Sequence, residues 1–118
     1  MTGAVSERDL DALYRAAAAF VYPSLYEGFG LPVIEAMVRG IPTVASNTSA
    51  VPEVAGDATL GVNPRSVREI AQAIESVLTD LDLAERLAKR GRRQAERFSW
   101  DETARLTLQV YDRVLDKK

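Results

Sequence analysis

Short, continuously apolar runs alternate along the chain with longer stretches in which apolar residues recur every three or four positions. The runs AFVYPS at 19–24 and TVAS at 43–46, with the weaker run ATLGV at 58–62, predict buried β-strands. The periodic stretches predict helices. Strands separated by helices are typical of βαβ units, so we expect an α/β fold with about three parallel strands covered by helices.

Capping residues mark where several of these helices begin. Ser6 precedes the first predicted helix, and two capping boxes, Ser66 with Glu69 and Ser99 with Glu102, precede two later ones. The apolar stripe behind each box is expected to face the core. These stripes are Val67, Ile70, Ala71, Ile74, Val77 and Leu78 after the first box, and Leu106, Val110, Tyr111 and Val114 after the second.

Glycines mark the ends of two other predicted helices. A helix that carries Val33, Ala36 and Met37 on one face should end at Gly40. A shorter helix is predicted near 82–90, which Gly91 would either break or only weaken.

The stretch YEGFGLPVIEA at 26–36 carries the candidate chemistry. It places Glu27 and Glu35 eight positions apart around a Gly-Phe-Gly turn, and Pro32 then opens a helix. We call these residues, 26–36, the E-x7-E stretch. Three interpretations are open: a catalytic acid pair, a ligand-binding turn, and an ordinary strand-to-helix corner. The stretch follows a predicted parallel strand, and ligands of open α/β sheets bind in the crevice at the carboxyl ends of the strands.

A turn in this position favours an anionic ligand. The amides of Gly30, Leu31 and Val33 are expected to point into the crevice at the positive end of the helix dipole, where phosphate binds readily. Glu35 would then lie in the first helical turn, with Glu27 before it. Phosphate affinity beside two carboxylates that can bind hydroxyl groups suits a phosphorylated sugar.

The same residues also have purely structural interpretations. A carboxylate such as Glu35 stabilises a first helical turn by itself, and it can pair with Arg39 one turn later. Glu27 can be a solvated residue before a glycine turn. Phe29 is expected to be a packing residue, and Trp100, just after a cap, is expected to lie in the core.

Composition excludes several classes of function. The 118 residues suffice for one domain, with 47% apolar and 27% charged residues. The net charge of −2 indicates neither a nucleic-acid partner nor an anionic membrane. No apolar run reaches the ~20 residues of a membrane span and no signal peptide is visible, so a cytoplasmic location is expected. The chain has no cysteine and no histidine, which excludes thiolate nucleophiles, thiolate zinc sites and Ser-His-Asp triads.

The segment PSLYEGFGLPVIEAMVRGIPTVAS at 23–46 resembles the signature of GT-B glycosyltransferases of the large group 4 family. That family includes glycogen synthases, sucrose-phosphate synthases and bacterial mannosyl- and glucosyltransferases. The resemblance extends over essentially the whole chain, from LDALYRAAAAFVYPS to FSWDETARLTLQVY. The E-x7-E spacing alone is weak, but its combination with G-F-G-L-P, E-A-M, G-x-P and P-E in register is specific.

The resemblance implies a Rossmann-like three-layer half-domain. Residues 1–118 would form a single partial domain, the C-terminal portion of a nucleotide-sugar-binding domain. The implied reaction is transfer of a hexose from a nucleotide diphosphate sugar, with retention at the anomeric carbon and with neither a metal nor another cofactor. Glu35 would bind the ribose hydroxyls, and Glu27, the candidate catalytic residue, would lie near the donor sugar. The remaining donor contacts would come from the amides of Gly28, Phe29, Gly30 and Leu31.

Against the family pattern, we expect these 118 residues to lack the N-terminal acceptor domain and the residues that clamp the diphosphate. We therefore expect the chain alone to bind donor weakly, if at all, and not to catalyse transfer. An unpaired sheet edge and exposed apolar helix faces would favour self-association, as a homodimer. Three alternatives stay open: a glycosidase that uses the two glutamates, a non-catalytic folding or self-association module, and a sugar-nucleotide epimerase of the same architecture.

Overall fold

The computed structural model describes residues 1–116 and contains one parallel three-stranded sheet. The strands are β1 (Phe20–Tyr22), β2 (Thr43–Ser46) and β3 (Leu60–Val62), in the spatial order β1-β2-β3. All three lie within the apolar runs that predicted them. The predicted α/β class, with three parallel strands flanked by helices, is confirmed.

The described residues contain six helices. They are α1 (Glu7–Ala16), α2 (Leu31–Val38), α3 (Val51–Ala55), α4 (Val67–Thr79), α5 (Leu81–Ala95) and α6 (Trp100–Leu115). The short helix α3 was not predicted, because five residues that include a proline show no helical periodicity. None of the helices in residues 1–116 is long and apolar enough to cross a lipid bilayer.

The two faces of the sheet bury different sets of side chains. One face packs against α2 and α3 and the other against α4, as the alternation of side chains along a strand requires. The first set contains Phe20, Tyr22 and Ala45, and the second contains Val21, Val44, Leu60 and Val62. The sheet is therefore the middle of three layers.

The predicted N-caps form, but their capping boxes are incomplete. In each case the serine hydroxyl accepts a hydrogen bond from the amide three residues later, at 3.1–3.3 Å; the serines are Ser6, Ser66 and Ser99. The return bonds are absent within the described chain. The Glu69 carboxylate accepts instead from the amide of Asn63, and Glu102 pairs with Arg105.

The apolar stripe expected on α4 is narrower than the sequence indicated. Ala73 and Val77 are buried and Ile70 is partly buried, whereas Val67 is 82% exposed and Leu78 is 50% exposed. Ala71 is exposed as well. The expectation that Val67, Ala71 and Leu78 face the core was therefore wrong. A helix that covers a small sheet contacts it along one narrow stripe, and these three side chains lie outside that stripe.

Helix α5 continues through Gly91, so the predicted interruption does not occur. Gly91 is buried where α5 packs against Met37 of α2. A Cβ atom at Gly91 would lie 3.3 Å from Met37 Cγ and 3.4 Å from Met37 Cα, closer than an ordinary packing contact. The glycine thus allows two helices to approach closely, and this packing outweighs its low helix propensity.

Helix α6 carries no buried residue within the described chain. Trp100 is 79% exposed, so its expected place in the core was wrong. The apolar stripe predicted on this helix exists, but its side chains are about half exposed; they are Leu106, Val110, Tyr111 and Val114. An apolar stripe in sequence therefore does not establish that the stripe is covered.

We predict that Gly91→Leu destabilises the fold by about 1–3 kcal/mol, because the added side chain overpacks the contact with Met37. Urea unfolding monitored by circular dichroism measures this change. The matched pair is Met37→Ala, and the double variant should lose less stability than the sum of the two single losses. Additive losses would show that Gly91 and Met37 do not share one packing contact.

Candidate functional site

The loops that follow β1 and β2 meet at the carboxyl edge of the sheet, and Ser49 joins them. The Ser49 hydroxyl accepts a hydrogen bond from the Glu27 amide and donates one to the Glu27 carbonyl, both at 2.8 Å. It also accepts from the amide of Ala50 at 2.7 Å. Ser49 has a left-handed backbone with φ of 60°, which costs free energy in a residue that has a side chain. The loop of β2 therefore holds the backbone of Glu27 in place.

A second contact between the same loops lies closer to the strands. Ser46, the last residue of β2, is buried and donates its hydroxyl hydrogen bond to the carbonyl of Ser24. Ser24 in turn places its own hydroxyl 2.7 Å from the Glu27 carboxylate. These contacts fix the path of the chain between β1 and the Gly-Phe-Gly turn.

The Glu27 side chain is held by hydroxyl donors. The hydroxyls of Tyr22 and Ser24 both bond to Glu27 Oε1. Mainly through the bond from Tyr22, they hold the pKa of the Glu27 carboxyl below its ordinary value. The same bond, together with burial, raises the pKa of Tyr22 to about 12. Glu27 is thus an anion at neutral pH, oriented by a neutral phenol.

Gly28 and Phe29 of the Gly-Phe-Gly turn are exposed to solvent, whereas Gly30 is buried. Gly30 caps α2 with a left-handed φ of 99°, yet a Cβ there would find no atom closer than 3.8 Å, so conformation rather than space requires the glycine. A Cβ at Gly28 would meet nothing within 4 Å. Phe29 is 45% exposed and packs edge-on against Phe98, with ring centroids 5.8 Å apart, as its packing interpretation expected.

The amides of the turn were expected to be free of hydrogen bonds within the chain, and all but one of them are. Pro32 is the second residue of α2, and the Val33 amide donates to the Gly30 carbonyl at 3.0 Å. The expectation of a free Val33 amide was therefore wrong, because the first turn of the helix uses it. The amides of the other predicted donor-binding residues take part in none of the hydrogen bonds found within residues 1–116; they are Gly28, Phe29, Gly30 and Leu31.

Glu35 lies on the exposed side of α2, in its second turn rather than in the first as predicted. Its Oε2 accepts a hydrogen bond of 3.0 Å from the hydroxyl of Tyr14 on α1. The expected ion pair with Arg39 was also wrong. Arg39 donates to the Glu35 backbone carbonyl at 2.9 Å and directs the rest of its guanidinium to Asp11.

The carboxylate of Asp11 on α1 accepts hydrogen bonds from two arginine side chains. It accepts hydrogen bonds of 3.0 and 2.8 Å from Arg39 and one of 2.6 Å from Arg15. These bonds, with that of Arg15 the stronger influence, hold the pKa of Asp11 below its ordinary value. The Arg39 guanidinium also lies 4.7 Å from the centre of the Tyr14 ring, a cation–π distance. Arg39, itself paired with Asp11, therefore packs on one face of the Tyr14 ring.

The sequence did not indicate the side chains that hold the two glutamates, namely Tyr14, Tyr22, Ser24 and Ser49. Ser49 could have been inferred, since the loops after neighbouring parallel strands converge at one edge of a sheet. Tyr14 and Tyr22 read as core residues in their own elements, and nothing in their spacing indicates a glutamate partner. Residues 1–116 hold no cluster of three or more acidic side chains that could bind a metal ion.

The model of the family described as Glycosyl transferases group 1 matches residues 1–94. The chain belongs to the group 1 glycosyl transferases. This membership confirms the resemblance to glycosyltransferases that the combined motifs of the segment at 23–46 predicted. Glu27, Glu35 and the turn between them all lie within the matched residues.

Relatives of this group 1 glycosyl transferase chain are considerably longer than it is. It is 47% identical over 109 residues to the O-antigen chain mannosyltransferase B of Escherichia coli, covering 92% of the chain and 29% of that protein. It is 40% identical over 112 residues to a glycogen synthase of Mycobacterium tuberculosis, covering 92% of the chain and 27% of that protein. The chain thus spans less than a third of these relatives.

The fold has a close counterpart in a solved structure. The sucrose-phosphate synthase of Thermosynechococcus elongatus superposes with a TM-score of 0.87 at 32% sequence identity. The match covers 99% of this chain and 30% of the synthase. The GT-B, Rossmann-like character of the fold is thereby confirmed.

We predict that Ser49→Ala speeds hydrogen exchange at the Glu27 amide about tenfold, because it removes the acceptor and keeps the strained backbone. Ser49→Gly is the matched variant. It loses the same bonds but removes the left-handed strain, so it should be more stable than Ser49→Ala by about 1 kcal/mol. Exchange measured by NMR and thermal unfolding test both statements. Unchanged exchange at Glu27 in both variants would contradict the role given to Ser49.

Proposed function

We propose that this chain forms part of the donor site of a retaining glycosyltransferase, which transfers a hexose from a nucleotide diphosphate sugar to an acceptor. The observation that carries the proposal is the position of the E-x7-E stretch. In a chain of this family, the stretch lies at the carboxyl edge of the parallel sheet, and Gly28 and Phe29 of its central turn are exposed. The names of the relatives, a mannosyltransferase and a glycogen synthase, support a hexose as the transferred group.

Each part of the stretch has a role in this proposal. The amides of Gly28, Phe29, Gly30 and Leu31 bind the sugar hydroxyls and the phosphate, assisted by the positive end of the α2 dipole. Glu35, exposed on α2, accepts hydrogen bonds from the ribose hydroxyls. Glu27, the proposed catalytic residue, lies beside the donor sugar, where its negative charge stabilises the positive character of the anomeric carbon.

The chemistry requires no base from the protein. The bond between the anomeric carbon and the diphosphate oxygen breaks, and the acceptor oxygen forms its bond on the same face of the sugar. The acceptor proton passes to the departing diphosphate, whose growing charge is stabilised by the amides of the turn. The proposal therefore needs neither a metal ion nor another cofactor.

We place the acceptor-binding domain and the residues that clamp the diphosphate outside these 118 residues. The relatives support this placement, because the chain matches only 29% of the mannosyltransferase and 30% of the synthase structure. Arg15 on α1 and Arg39 at the end of α2 are both paired with Asp11 rather than directed at the turn. The 118 residues alone then hold only part of the donor.

We predict that GDP-mannose or UDP-glucose, titrated into the 118-residue chain, shifts the NMR signals of the amides at 28–31 with a millimolar dissociation constant and without turnover. Glu35→Gln should weaken this binding about fivefold, because it replaces a charged acceptor by a neutral one. Glu75→Gln on the exposed side of α4 is the matched control and should bind as the parent chain does. Micromolar affinity or measurable turnover would contradict the proposed incompleteness, and shifts confined to other residues would contradict the site.

A second candidate function, a self-association module, is favoured by the apolar surface of α6. This helix exposes Trp100 and a row of aliphatic side chains, and β1 and β3 each leave one edge unpaired within the described residues. A homodimer that covers both features is the proposed assembly. It is compatible with the donor site, which lies on other elements.

For this assembly we predict a dimer in sedimentation equilibrium at about 100 μM, a concentration at which a dimer of micromolar affinity is mostly formed. Val110→Glu should shift the equilibrium to monomer, because it places a charge on the apolar row of α6. Gln109→Glu introduces the same charge beside that row and should leave the dimer intact. A parent chain that stays monomeric at this concentration would rule the assembly out.

A further inference from the structure

Each of the two glutamates of the E-x7-E stretch accepts a hydrogen bond from a tyrosine, and Glu27 accepts a second one from Ser24. The hydroxyl of Tyr14 donates to Glu35 Oε2, and the hydroxyl of Tyr22 donates to Glu27 Oε1. The other carboxylate oxygen of each glutamate takes part in none of the hydrogen bonds found within residues 1–116. Each tyrosine therefore fixes one oxygen and leaves the second available to a ligand.

The two tyrosines are themselves joined by Phe20. The Phe20 ring lies 5.6 Å from the ring of Tyr14 and 5.9 Å from that of Tyr22, measured between centroids. Phe20 and Tyr22 are two residues apart in β1 and share one face of the sheet, so their rings stack with an interplanar angle of 16°. The three rings form a continuous aromatic row from α1 to β1.

Arg39 packs on Tyr14, which lies at the α1 end of the aromatic row. The Arg39 guanidinium covers the Tyr14 ring, and Arg39 is itself held by Asp11 and by the carbonyl of Glu35. Tyr14 is also buried, and burial together with its bond to Glu35 raises its pKa to about 12. A phenol with so high a pKa keeps its proton, and remains a hydrogen-bond donor, over the whole physiological range.

We propose that Tyr14 and Tyr22 are positioning residues, coupled through Phe20, which set the orientation and the separation of the two glutamates at the donor site. The inference rests on the proposed function for the ligand that the two carboxylates would bind. Neutral donors suit this task, because a phenol orients a carboxylate without neutralising its charge. The second oxygen of each glutamate then keeps its full capacity to accept a hydrogen bond from a sugar hydroxyl.

The test uses the 118-residue chain labelled with ¹³C and ¹⁵N, and reads the three-bond couplings that report the side-chain rotamers of Glu27 and Glu35. Tyr14→Phe keeps the ring and removes the hydroxyl, so Glu35 should begin to average between rotamers while Glu27 stays fixed. Tyr22→Phe leaves Glu27 only its bond from Ser24, so Glu27 alone should begin to average between rotamers. The pKa of its carboxyl should rise toward the ordinary value, since the bond from Tyr22 is the main cause of its lowering. Tyr111→Phe on exposed α6 is the control and should change neither glutamate.

Coupling through the aromatic row is tested by Phe20→Leu, which should release both glutamates together. If this variant fails to fold, the two tyrosine variants still decide the positioning role, since they keep all three rings. Glutamates that stay fixed in their respective phenylalanine variants would overturn the inference. So would equal loosening of both glutamates in each tyrosine variant, because that pattern indicates general destabilisation.

Donor binding separates this inference from the proposed function. In titrations with GDP-mannose, Tyr14→Phe and Tyr22→Phe should each weaken binding about two- to tenfold, the range that one hydrogen bond spans. Undiminished binding in both variants would overturn the inference. A parent chain that binds no GDP-mannose would instead contradict the proposed donor site, and the rotamer measurements would then decide the positioning role by themselves.

Discussion

The close packing of α2 against α5 is the constraint on which the candidate site depends. Helix α2 carries both the turn amides at its start and Glu35 in its second turn, so its position on the sheet decides where both groups lie. Met37 is fully buried between the sheet and α5, and Gly91 lets the backbone of α5 approach it closely. Because protein interiors are close-packed and barely compressible, the position of α2 depends on this contact.

The two glutamates of the candidate site accept hydrogen bonds from hydroxyl groups and form no ion pair with the nearby arginines. Asp11 pairs with Arg15 and Arg39 on the outer side of α1 and α2, whereas Glu27 and Glu35 are held by hydroxyl groups. A carboxylate paired with a guanidinium loses most of its attraction for a neutral sugar hydroxyl, and one held by a phenol keeps it. The proposed donor site thus combines two oriented carboxylates with a turn whose amides at 28–31 take part in none of the hydrogen bonds found within residues 1–116.

Two residues with left-handed backbone, Gly30 and Ser49, help to position α2 and Glu27. Gly30 adopts the left-handed conformation that starts α2, and Ser49 adopts a similar one in the loop of β2 in order to bind the backbone of Glu27. Backbone strain of this kind persists only where surrounding contacts over-determine it. Here the three hydrogen bonds of the Ser49 hydroxyl supply those contacts, so the cost of the unusual backbone is offset in the same loop that it shapes.

The sequence by itself determined the three parallel strands, the serine caps and the E-x7-E stretch at the edge of the sheet. These features follow from patterns within a few residues: apolar runs, helical periodicity and the chemistry of caps and turns. Only the tertiary structure decided that α5 continues through Gly91, that Trp100 is exposed, and that Arg39 binds Asp11 rather than the Glu35 carboxylate. Each of these outcomes depends on a partner distant in sequence, and a local pattern carries no information about which distant residue will pack against it.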